Sequence, residues 1–356
     1  MDDDQTQSLQ EQVRAAAAAG QPLEIRGQGT KQFLGRTPRG QPLCVSSHRG
    51  ILNYQPKELV VTARAGTPLA QLEAALAEQG QMLAFEPPHF GPGATLGGTI
   101  ACGLSGPSRA ALGAARDFVL GARLVNGRGE VLRLGGEVMK NVAGYDVPRL
   151  MVGAFGTLGV LLDVSLKVLP VPATSRTVFQ ECRVAEAIAR LTEWARRPLP
   201  ITASCHDGER LFARLSGAAG GVAAAAAEIG GEPLGDDEAA TLWRTRLREQ
   251  GHSFFADDGP LWRLALPAAT PPLDLPGEWL IEWGGAQRWL RSPTPASRIR
   301  DAAASAQGHA ALFRGGDREG AVFQPLQPAL LTLHRRVKQA FDPASVFNPG
   351  RLYAEL

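Results

Sequence analysis

The first half of the chain alternates between helical and strand-like patterns of apolar residues. An alanine-rich stretch predicts a helix over 8–19 that ends at Gly20. Thr67-Pro68 predicts the start of a second helix, with Thr67 as its capping residue. Asn126-Gly127 lies between two strand-like runs and predicts a hairpin. The runs rich in valine and leucine that predict strands are 23–25, 59–63, 117–125, 130–134 and 156–168.

Pro170 and Pro172 interrupt this pattern, and we expect a domain boundary there. Beyond them, helices alternate with short strands. The expected helices are 184–194, 219–229, 237–249 and 326–341, and the expected strands are 199–205, 210–215, 262–266 and 279–283. This alternation indicates an α+β region built on an antiparallel sheet.

The composition narrows the classes of function. The chain has 356 residues, 44% of them hydrophobic, and its formal net charge of +2 argues against nucleic acid as the main partner. The four cysteines are scattered without a Cys-x-x-Cys pair, which argues against an iron–sulfur or zinc cluster and against a disulfide framework. The N-terminus is acidic, unlike a signal peptide, and no apolar run approaches membrane-spanning length. We therefore expect a cytoplasmic protein without a metal site.

The run from Gly91 to Gly106 holds six glycines together with Thr95, Thr99 and Ser105. Glycine loses much backbone entropy on folding, so this density indicates a backbone that must lie close to something flat or anionic. No Gly-Lys-Ser/Thr follows, so the run is not a P-loop. No apolar strand leads directly into it, so it is not the dinucleotide fingerprint either.

A second glycine-rich segment, Arg26-Gly-Gln-Gly-Thr-Lys31, follows a predicted strand. A strand that opens into such a turn directs several backbone N–H groups to one side, which suits a phosphate. Taken alone, the segment also fits a simple strand-to-loop turn.

Four segments in order resemble the FAD-binding flavoproteins of the vanillyl-alcohol-oxidase / p-cresol-methylhydroxylase (PCMH) type. They are Arg26-Gly-Gln-Gly-Thr-Lys31, Gly93-Ala-Thr-Leu-Gly-Gly98 with Gly103-Leu-Ser-Gly-Pro107, Gly153-Ala-Phe-Gly-Thr-Leu-Gly-Val160, and Phe347-Asn-Pro-Gly-Arg351. Within that family, the segments 134–146 and 280–290 and the tail 351–356 resemble the FAD-binding subunits of bacterial glycolate oxidases. The resemblance extends over nearly the whole chain.

The resemblance implies an α+β fold, in which a PCMH-type FAD-binding unit of two subdomains is closed by an α+β cap domain. It divides the chain into an FAD-binding domain over 1–171, a cap over 172–316 and a returning segment over 317–356. Thr30 and Lys31 follow Gly29 where some relatives carry a histidine that bonds to FAD. We therefore expect non-covalent FAD.

The resemblance also implies which residues contact FAD. The turn after the first strand and the start of the glycine-rich run would bind the pyrophosphate, and the end of that run would lie beside the flavin. The 156–160 turn would line the adenine or ribose. The tail would reach the flavin carbonyls. In order, these residues are Arg26, Gly27, Gln28, Gly29, Thr30 and Lys31; Thr95, Leu96, Gly97, Gly98 and Thr99; Gly103, Ser105 and Gly106; Gly156, Gly159 and Val160; and Asn348 and Arg351. From the residues alone, the 156–160 segment also fits a tight turn before a core strand, and the tail fits a helix stop.

Lys140, Asn141, Tyr145 and Asp146 are candidate acid–base groups, because burial can shift a Lys or Tyr pKa. The alternative is that 141–146 caps a helix carrying Leu150 and Met151. We favour capping for Asp146 and leave Lys140 open.

The histidines bear on catalysis. Related 2-hydroxy-acid dehydrogenases carry a paired-histidine stretch in the cap, but the cap of this chain has only His206, His252 and His309, far apart. The remaining three histidines, expected to be structural, are His48, His89 and His334. The sequence therefore names no catalytic base, and it argues against substrate oxidation by this chain alone.

The expected function is that of the FAD-binding subunit of a complex that oxidises glycolate, or D-lactate, to glyoxylate or the corresponding oxo acid. The implied partners are a sister FAD-containing catalytic subunit and an iron–sulfur subunit. The complex would be cytoplasmic or attached peripherally to the inner membrane. The alternatives are a non-catalytic scaffold that keeps the flavin fold, and a stand-alone FAD-dependent 2-hydroxy-acid dehydrogenase.

Overall fold

The computed structural model describes residues 4–137 and 145–356. The chain divides into two compact units. The first comprises Met1–Leu104, Ala114–Pro170 and Arg318–Leu356, and the second comprises Ser105–Gly113 and Val171–Asp317. The expected domain boundaries at 171/172 and 316/317 stay a prediction about functional domains. The division by contacts places the short segment 105–113 with the second unit.

Helices and strands alternate along both units. Within the described residues the α-helices are α1 (Thr6–Ala19), α2 (Leu69–Ala77), α3 (Leu96–Cys102), α4 (Arg109–Leu112), α5 (Ala115–Phe118), α6 (Val184–Trp194), α7 (Ala219–Ile229), α8 (Asp236–Ala240), α9 (Ala296–Ser305) and α10 (Pro328–Phe341). The strands there are β1 (Leu23–Arg26), β2 (Gln41–Cys44), β3 (Ile51–Gln55), β4 (Val60–Arg64), β5 (Gln81–Met82), β6 (Val119–Val125), β7 (Val131–Gly135), β8 (Val160–Lys167), β9 (Leu169–Pro170), β10 (Thr174–Glu181), β11 (Ile201–His206), β12 (Arg210–Gly217), β13 (Glu232–Pro233), β14 (Leu261–Ala265), β15 (Glu278–Glu282), β16 (Gln287–Arg291) and β17 (His309–Arg314).

The first unit is built on an antiparallel sheet with strand order β3-β4-β8-β6-β7. Its central strand, β8, is buried along almost its whole length, because it pairs with β4 on one side and β6 on the other. Beside it, the parallel pair β1 and β2 packs with α1 in one apolar cluster. Leu9 and Val13 fill that cluster, and Gly20 ends α1 in the left-handed conformation, as the sequence predicts.

Two local expectations for this unit were wrong. Thr67 does not cap α2, because its hydroxyl bonds to the backbone of Gly50 instead. The run expected as a strand from 117 begins with the short helix α5. The predicted hairpin between β6 and β7 is present, and its loop covers 126–130. The Asn126 side chain accepts two backbone N–H bonds there, and Gly129 takes the positive φ.

The second unit is built on an eight-stranded antiparallel sheet with order β13-β10-β12-β11-β15-β16-β14-β17. The helices α6 and α7 cover one part of it, through an apolar cluster that includes Leu191, Trp194 and Val222. The predicted helix over 237–249 is present as α8 followed by the π-helical segment Thr241–Arg248. An α+β unit on an antiparallel sheet agrees with the sequence pattern.

A buried ion pair fixes the end of α10 in the first unit. Lys338 donates from Nζ to the Asp342 carboxylate at 2.7 Å and to the carbonyls of Thr157 and Phe347 at 2.8 Å each. All three ammonium protons are therefore used. Asp342 in turn accepts backbone N–H bonds from Val346 and Phe347. Burial lowers the pKa of Lys338, while the Asp342 carboxylate acts in the opposite direction.

Removing one member of this pair should destabilise the first unit strongly, because a buried charge without its partner is costly. We expect Lys338→Met to lower the free energy of unfolding by about 3–5 kcal/mol. The measurement is chemical denaturation, with Lys57→Met as the matched control, since Lys57 is exposed. A loss below about 1 kcal/mol, the range of surface pairs, would contradict this role.

Candidate functional site

A cleft in the first unit brings together the four segments that carry the resemblance to FAD-binding flavoproteins. Its walls come from the end of β1 and the turn after it, from α3, from the turn before β8, and from the tail after α10. It holds about 870 Å³ of empty space, part of which is open to solvent.

Most of the predicted site residues line this cleft. The thirteen that do are Arg26, Gly27, Gln28, Gly29, Thr30, Lys31, Thr95, Gly97, Gly98, Gly156, Gly159, Asn348 and Arg351. The six that do not are Leu96, Thr99 and Val160, which lie fully buried in the core, Gly103, which ends α3, and Ser105 and Gly106, which belong to the second unit. Contact of any of the nineteen with a cofactor stays a prediction.

The turn after β1 is tight and packs directly against α3. Gly29 has a φ of 77°, and its carbonyl accepts a bond from the Gln32 backbone N–H at 3.0 Å. A Cβ on Gly27 would lie 2.4 Å from Thr95 Oγ1. Glycine at 27 is therefore required by the contact between two chain segments, and this contact sets the distance between two walls of the cleft.

The Gly91–Gly106 run contains a helix, α3, which the sequence analysis missed. Thr95 is its N-cap, and its hydroxyl accepts a bond from the Gly98 backbone N–H at 3.2 Å. The glycines obscured the helix because they lower helix propensity. A threonine followed by the i, i+4 pair Leu96 and Ile100, both buried, was the available signal.

The turn before β8 is bonded to the last turn of α3. Backbone N–H groups of Gly153 and Phe155 donate to the carbonyls of Ile100 and Ala101 at 3.0 and 2.9 Å. The Ile100 carbonyl also accepts the Gly103 N–H at 3.1 Å, so the bond from Phe155 serves chiefly to satisfy the Ala101 carbonyl at the helix end. Phe155 has a φ of 53°, a left-handed conformation that costs a non-glycine residue about 1–3 kcal/mol. Such strain is typical of functional sites.

The C-terminal tail holds the cleft together through side chains. Asn348 accepts a bond from the Ile25 backbone N–H at 2.7 Å and donates to the Phe155 carbonyl at 2.5 Å. Arg351 donates to the carbonyls of Arg36 and Gln32. The sequence predicts that both side chains reach the flavin. In the structure both bond to the backbone of neighbouring cleft segments, so both act first as positioning residues.

The charge of the cleft is positive. Its lining includes Arg26, Lys31 and Arg351, and none of the lining residues described is Asp or Glu. Lys31 is buried and donates from Nζ to the His89 carbonyl at 3.1 Å. Burial lowers the pKa of Arg351 but leaves it charged near neutral pH. Cations and backbone N–H groups without a carboxylate suit an anionic ligand.

Sequence reasoning missed part of the lining. These residues are Ile25, Gln32, Val45, Ala65, Ala101, Cys102, Met151, Ala154, Phe155, Leu158 and Leu161. Most are apolar and lie next to the glycines, so the cleft offers an apolar surface beside its cations. Ala101, Cys102 and Leu158 could have been predicted from their positions next to the glycine-rich segments in the sequence.

Of the acid–base candidates, the two that the structure describes, Tyr145 and Asp146, do not line the cleft. Lys140 and Asn141 lie outside the described residues. The Tyr145 side chain is 93% exposed. Asp146 pairs with Arg149 at 2.8 Å and caps nothing, because the helix at this point is one 3₁₀ turn, Pro148–Met151, whose N-cap is Val147. The capping role favoured for Asp146 was therefore wrong.

The histidines have local partners rather than a shared site. His48 accepts the Gln5 backbone N–H, His89 bonds Glu73 and His334 packs edge-on against the Tyr353 ring. In the second unit, His206 bonds the Cys182 carbonyl and His252 caps a 3₁₀ turn. Over 4–137 and 145–356, no group of three or more His, Cys, Asp or Glu side chains is arranged to hold a metal ion. The helices of the same residues are too short or too polar to cross a membrane.

Comparison with protein families matches two parts of the chain. Residues 4–135 match an FAD binding domain, and residues 315–352 match the C-terminal domain of FAD linked oxidases. A solved structure of alkyldihydroxyacetonephosphate synthase aligns with a TM-score of 0.68 at 15% identity, covering 96% of this chain and 74% of that one. At this identity the likeness shows the fold alone.

Two curated relatives are similar in sequence. The glycolate oxidase subunit GlcE of Escherichia coli (strain K12) is 51% identical over 353 residues, which is 99% of this chain and 99% of the relative. The glycolate oxidase subunit GlcD of Bacillus subtilis (strain 168) is 32% identical over 159 residues, which is 44% of this chain and 34% of the relative. The first similarity extends through both units and the tail.

Cys102 should resist alkylation although it lines the cleft. Burial raises its pKa to about 11, while Lys31 and Arg351 act in the opposite direction. At pH 8 only about one thiol in a thousand is then the reactive thiolate. We expect iodoacetamide at pH 8 to label the exposed Cys44 well before Cys102, as measured by peptide mass spectrometry. Equal labelling rates would contradict the burial of this thiol.

Proposed function

The chain belongs to the family of the glycolate oxidase subunit GlcE, and from this premise we propose that it is the FAD-binding subunit of a complex that oxidises glycolate. Its fold is α+β and of the PCMH type, with an FAD-binding domain and an α+β second unit. The observation that carries the proposal is the cleft itself. Four segments distant in sequence form one cationic and apolar wall, as a dinucleotide with an aromatic ring system requires.

FAD fits the residues present. The turn from Arg26 to Lys31 would hold the pyrophosphate, because it presents backbone N–H groups beside cations. The start of α3 would form the wall next to it. Its N–H groups at Leu96, Gly97 and Gly98 already bond to Thr67, Ala65 and Thr95. Gly98 at the cleft has no side chain to obstruct a close approach. Gly156 and Gly159 would line the adenine or ribose. When bound, FAD would supply a two-electron carrier that stores or relays electrons within the complex.

The chain's own residues bind and orient in this scheme. Arg351 would provide positive charge at the cleft, fixed in position by its bonds to the 32–36 turn. The base that takes the hydroxyl proton is assigned to a sister FAD-containing subunit, because this chain lacks the paired cap histidines. An iron–sulfur subunit takes the electrons onward. All four cysteines of this chain are free, in keeping with a reducing, cytoplasmic location, which includes a peripheral position at the inner membrane.

One experiment distinguishes the proposed function from the two alternatives, a non-catalytic scaffold and a stand-alone dehydrogenase. We expect the gently purified chain to carry FAD in a ratio near one to one, released by acid because it is not covalently bound. Oxidised flavin absorbs at about 450 nm. Anaerobic addition of glycolate or D-lactate to the isolated chain should leave this absorbance unchanged. A colourless chain would support the scaffold, and bleaching without partners would support the stand-alone dehydrogenase.

Gly98→Val should abolish FAD retention without unfolding the chain. The valine methyl groups would project at the cleft wall, and the new Cβ would already lie 3.1 Å from Thr95 Oγ1. FAD content after gel filtration is the measurement. Gly221→Val is the matched control, because this glycine is exposed on the solvent side of α7, with nothing within 4 Å of an added Cβ. If Gly98→Val kept the FAD content of the wild type, the proposed contact between FAD and the start of α3 would be contradicted.

A further inference from the structure

The helix α10 of the first unit leaves most of its apolar side chains in solvent. The structure describes all fourteen residues of this helix, and among them only Lys338 is buried. Leu330 and Leu333 are 48% and 55% exposed. Surface helices normally turn their large apolar residues toward the core, because most of the stability of a helix in a protein comes from packing that face. Exposed leucines on one helix therefore indicate a surface that packs against something else.

The outward apolar residues of α10 share one face of the helix. Residues three, four and seven positions apart lie on the same side of an α-helix. The set that follows this spacing, called the outward stripe below, consists of Ala329, Leu330, Leu333, Val337 and Ala340. Four of the five are exposed, and Val337 is half-buried. At a rise of about 1.5 Å per residue, the stripe is a continuous apolar surface about 16 Å long.

The opposite side of α10 is held by the protein itself, which fixes the direction of the stripe. Lys338 donates to the carbonyls of Thr157 and Phe347 from that side. His334 packs edge-on against Tyr353, with ring centres 6.2 Å apart. The helix cannot turn its stripe inward without breaking these contacts. In the isolated chain the stripe therefore remains in solvent.

The charges of α10 are all positive. The helix contains Arg335, Arg336 and Lys338 and has no Asp or Glu. Arg336 borders the outward stripe, because it lies three residues after Leu333 and four residues before Ala340. In the part of the chain that the structure describes, Arg336 takes part in no ion pair and no hydrogen bond. An apolar surface bordered by an unpaired arginine is complementary to an apolar groove bordered by a carboxylate.

A second copy of the chain does not complement this surface. In a two-fold interface the same patch of each copy meets the other. Two α10 helices packed in this way would bring only positive side chains together, because α10 has no carboxylate to pair with them. The charge of the helix therefore favours a different chain as the partner.

A lipid surface fits the outward stripe less well than a protein does. Helices that lie in a membrane interface carry Trp, Phe or Leu along a broad apolar face. Two of the five residues of the stripe are alanines, and none is aromatic. Small residues instead let a neighbouring backbone approach closely, as in the packing of two protein segments.

We propose that the outward stripe of α10 is the docking surface for a partner subunit, which offers an apolar groove bordered by Asp or Glu. Leu333 is the central anchor in that groove, and Arg336 pairs with a carboxylate at its rim. Arginine is enriched at protein interfaces, and a few central residues carry most of the binding energy. This inference rests on the proposed function as a subunit of a complex, and it assigns one surface of this chain to that complex.

The test is binding of the full chain to the rest of the complex. The probe is the FAD-containing and iron–sulfur subunits of the same complex, co-expressed without this chain, and biolayer interferometry gives the Kd. We expect Leu333→Glu to raise the Kd about tenfold or more, because it places a carboxylate in an apolar contact. Gln339→Glu is the matched control, since Gln339 is exposed on the same helix outside the stripe and the charge changes equally. A wild-type Kd in Leu333→Glu would overturn the proposal.

Arg336→Glu tests the charge at the rim of the groove. We expect its association rate at low salt to fall about threefold or more and to depend less on salt, because rim charges act mainly on the encounter of two proteins. Arg335→Glu is the matched control, because Arg335 is exposed next to Arg336 and points away from the stripe. Equal effects of the two substitutions would indicate net charge alone and would overturn the assigned carboxylate contact.

Leu333→Glu also separates a docking role from a structural one and from the other occupants. Its Tm should equal that of the wild type, because Leu333 is exposed, and a lower Tm would assign the effect to folding and overturn the proposal. Sedimentation should show the wild-type chain alone as a monomer that does not bind phosphatidylglycerol vesicles. A dimer or a vesicle complex that Leu333→Glu dissociates would overturn the proposal in favour of a second copy or a lipid surface.

The cofactor assignment is tested separately in the same samples. The FAD content of Leu333→Glu should equal that of the wild type, since Leu333 does not line the cleft. A chain that holds FAD and binds the other subunits equally well with Leu333→Glu contradicts the docking surface alone. A chain that binds them through Leu333 and holds no FAD contradicts the proposed cofactor and leaves the docking surface standing. A chain that binds none of the other subunits contradicts both.

Discussion

The buried ion pair between Lys338 and Asp342 is the interaction on which the cofactor cleft depends. It joins the end of α10 to the turn at Thr157 and to the tail at Phe347, so two of the four cleft segments meet at one ammonium group. Gly127 also packs there, because a Cβ would lie 2.5 Å from the Asp342 carboxylate. Either buried charge would be costly without its partner. Loss of one member therefore removes the connection between these segments and leaves an unpaired charge in the core.

The glycines of the cleft allow close packing of the protein's own segments as well as close approach of a ligand. Gly27 and Gly97 let two walls approach each other, at Thr95 and Ala65, and Gly156 leaves room for the Asn348 amide. At Gly98 an added Cβ would meet the Thr95 hydroxyl at 3.1 Å and no other atom within 4 Å, so this position is open on the cleft side. The density of glycine in the sequence therefore reports close packing of four backbone segments, and the cleft follows from that packing.

The sequence was most informative where the pattern was periodic or the resemblance was specific. It predicted α1, α6 and both sheets' main strands, as well as which segments line the cleft. It missed α3, because glycine hides a helix whose stability comes from its Thr95 cap and buried face. It did not predict the backbone bonds of Asn348, because they depend on long-range packing.

The account requires FAD to bind along the four converging segments of the first unit. Hydrogen–deuterium exchange of the apo chain against the FAD-saturated chain tests this most directly. Backbone amides of 27–31, the first turn of α3 and 153–159 should gain protection, and those of α7 in the second unit should not. Saturable FAD binding without protection at these three segments, or no binding at all, would contradict the account.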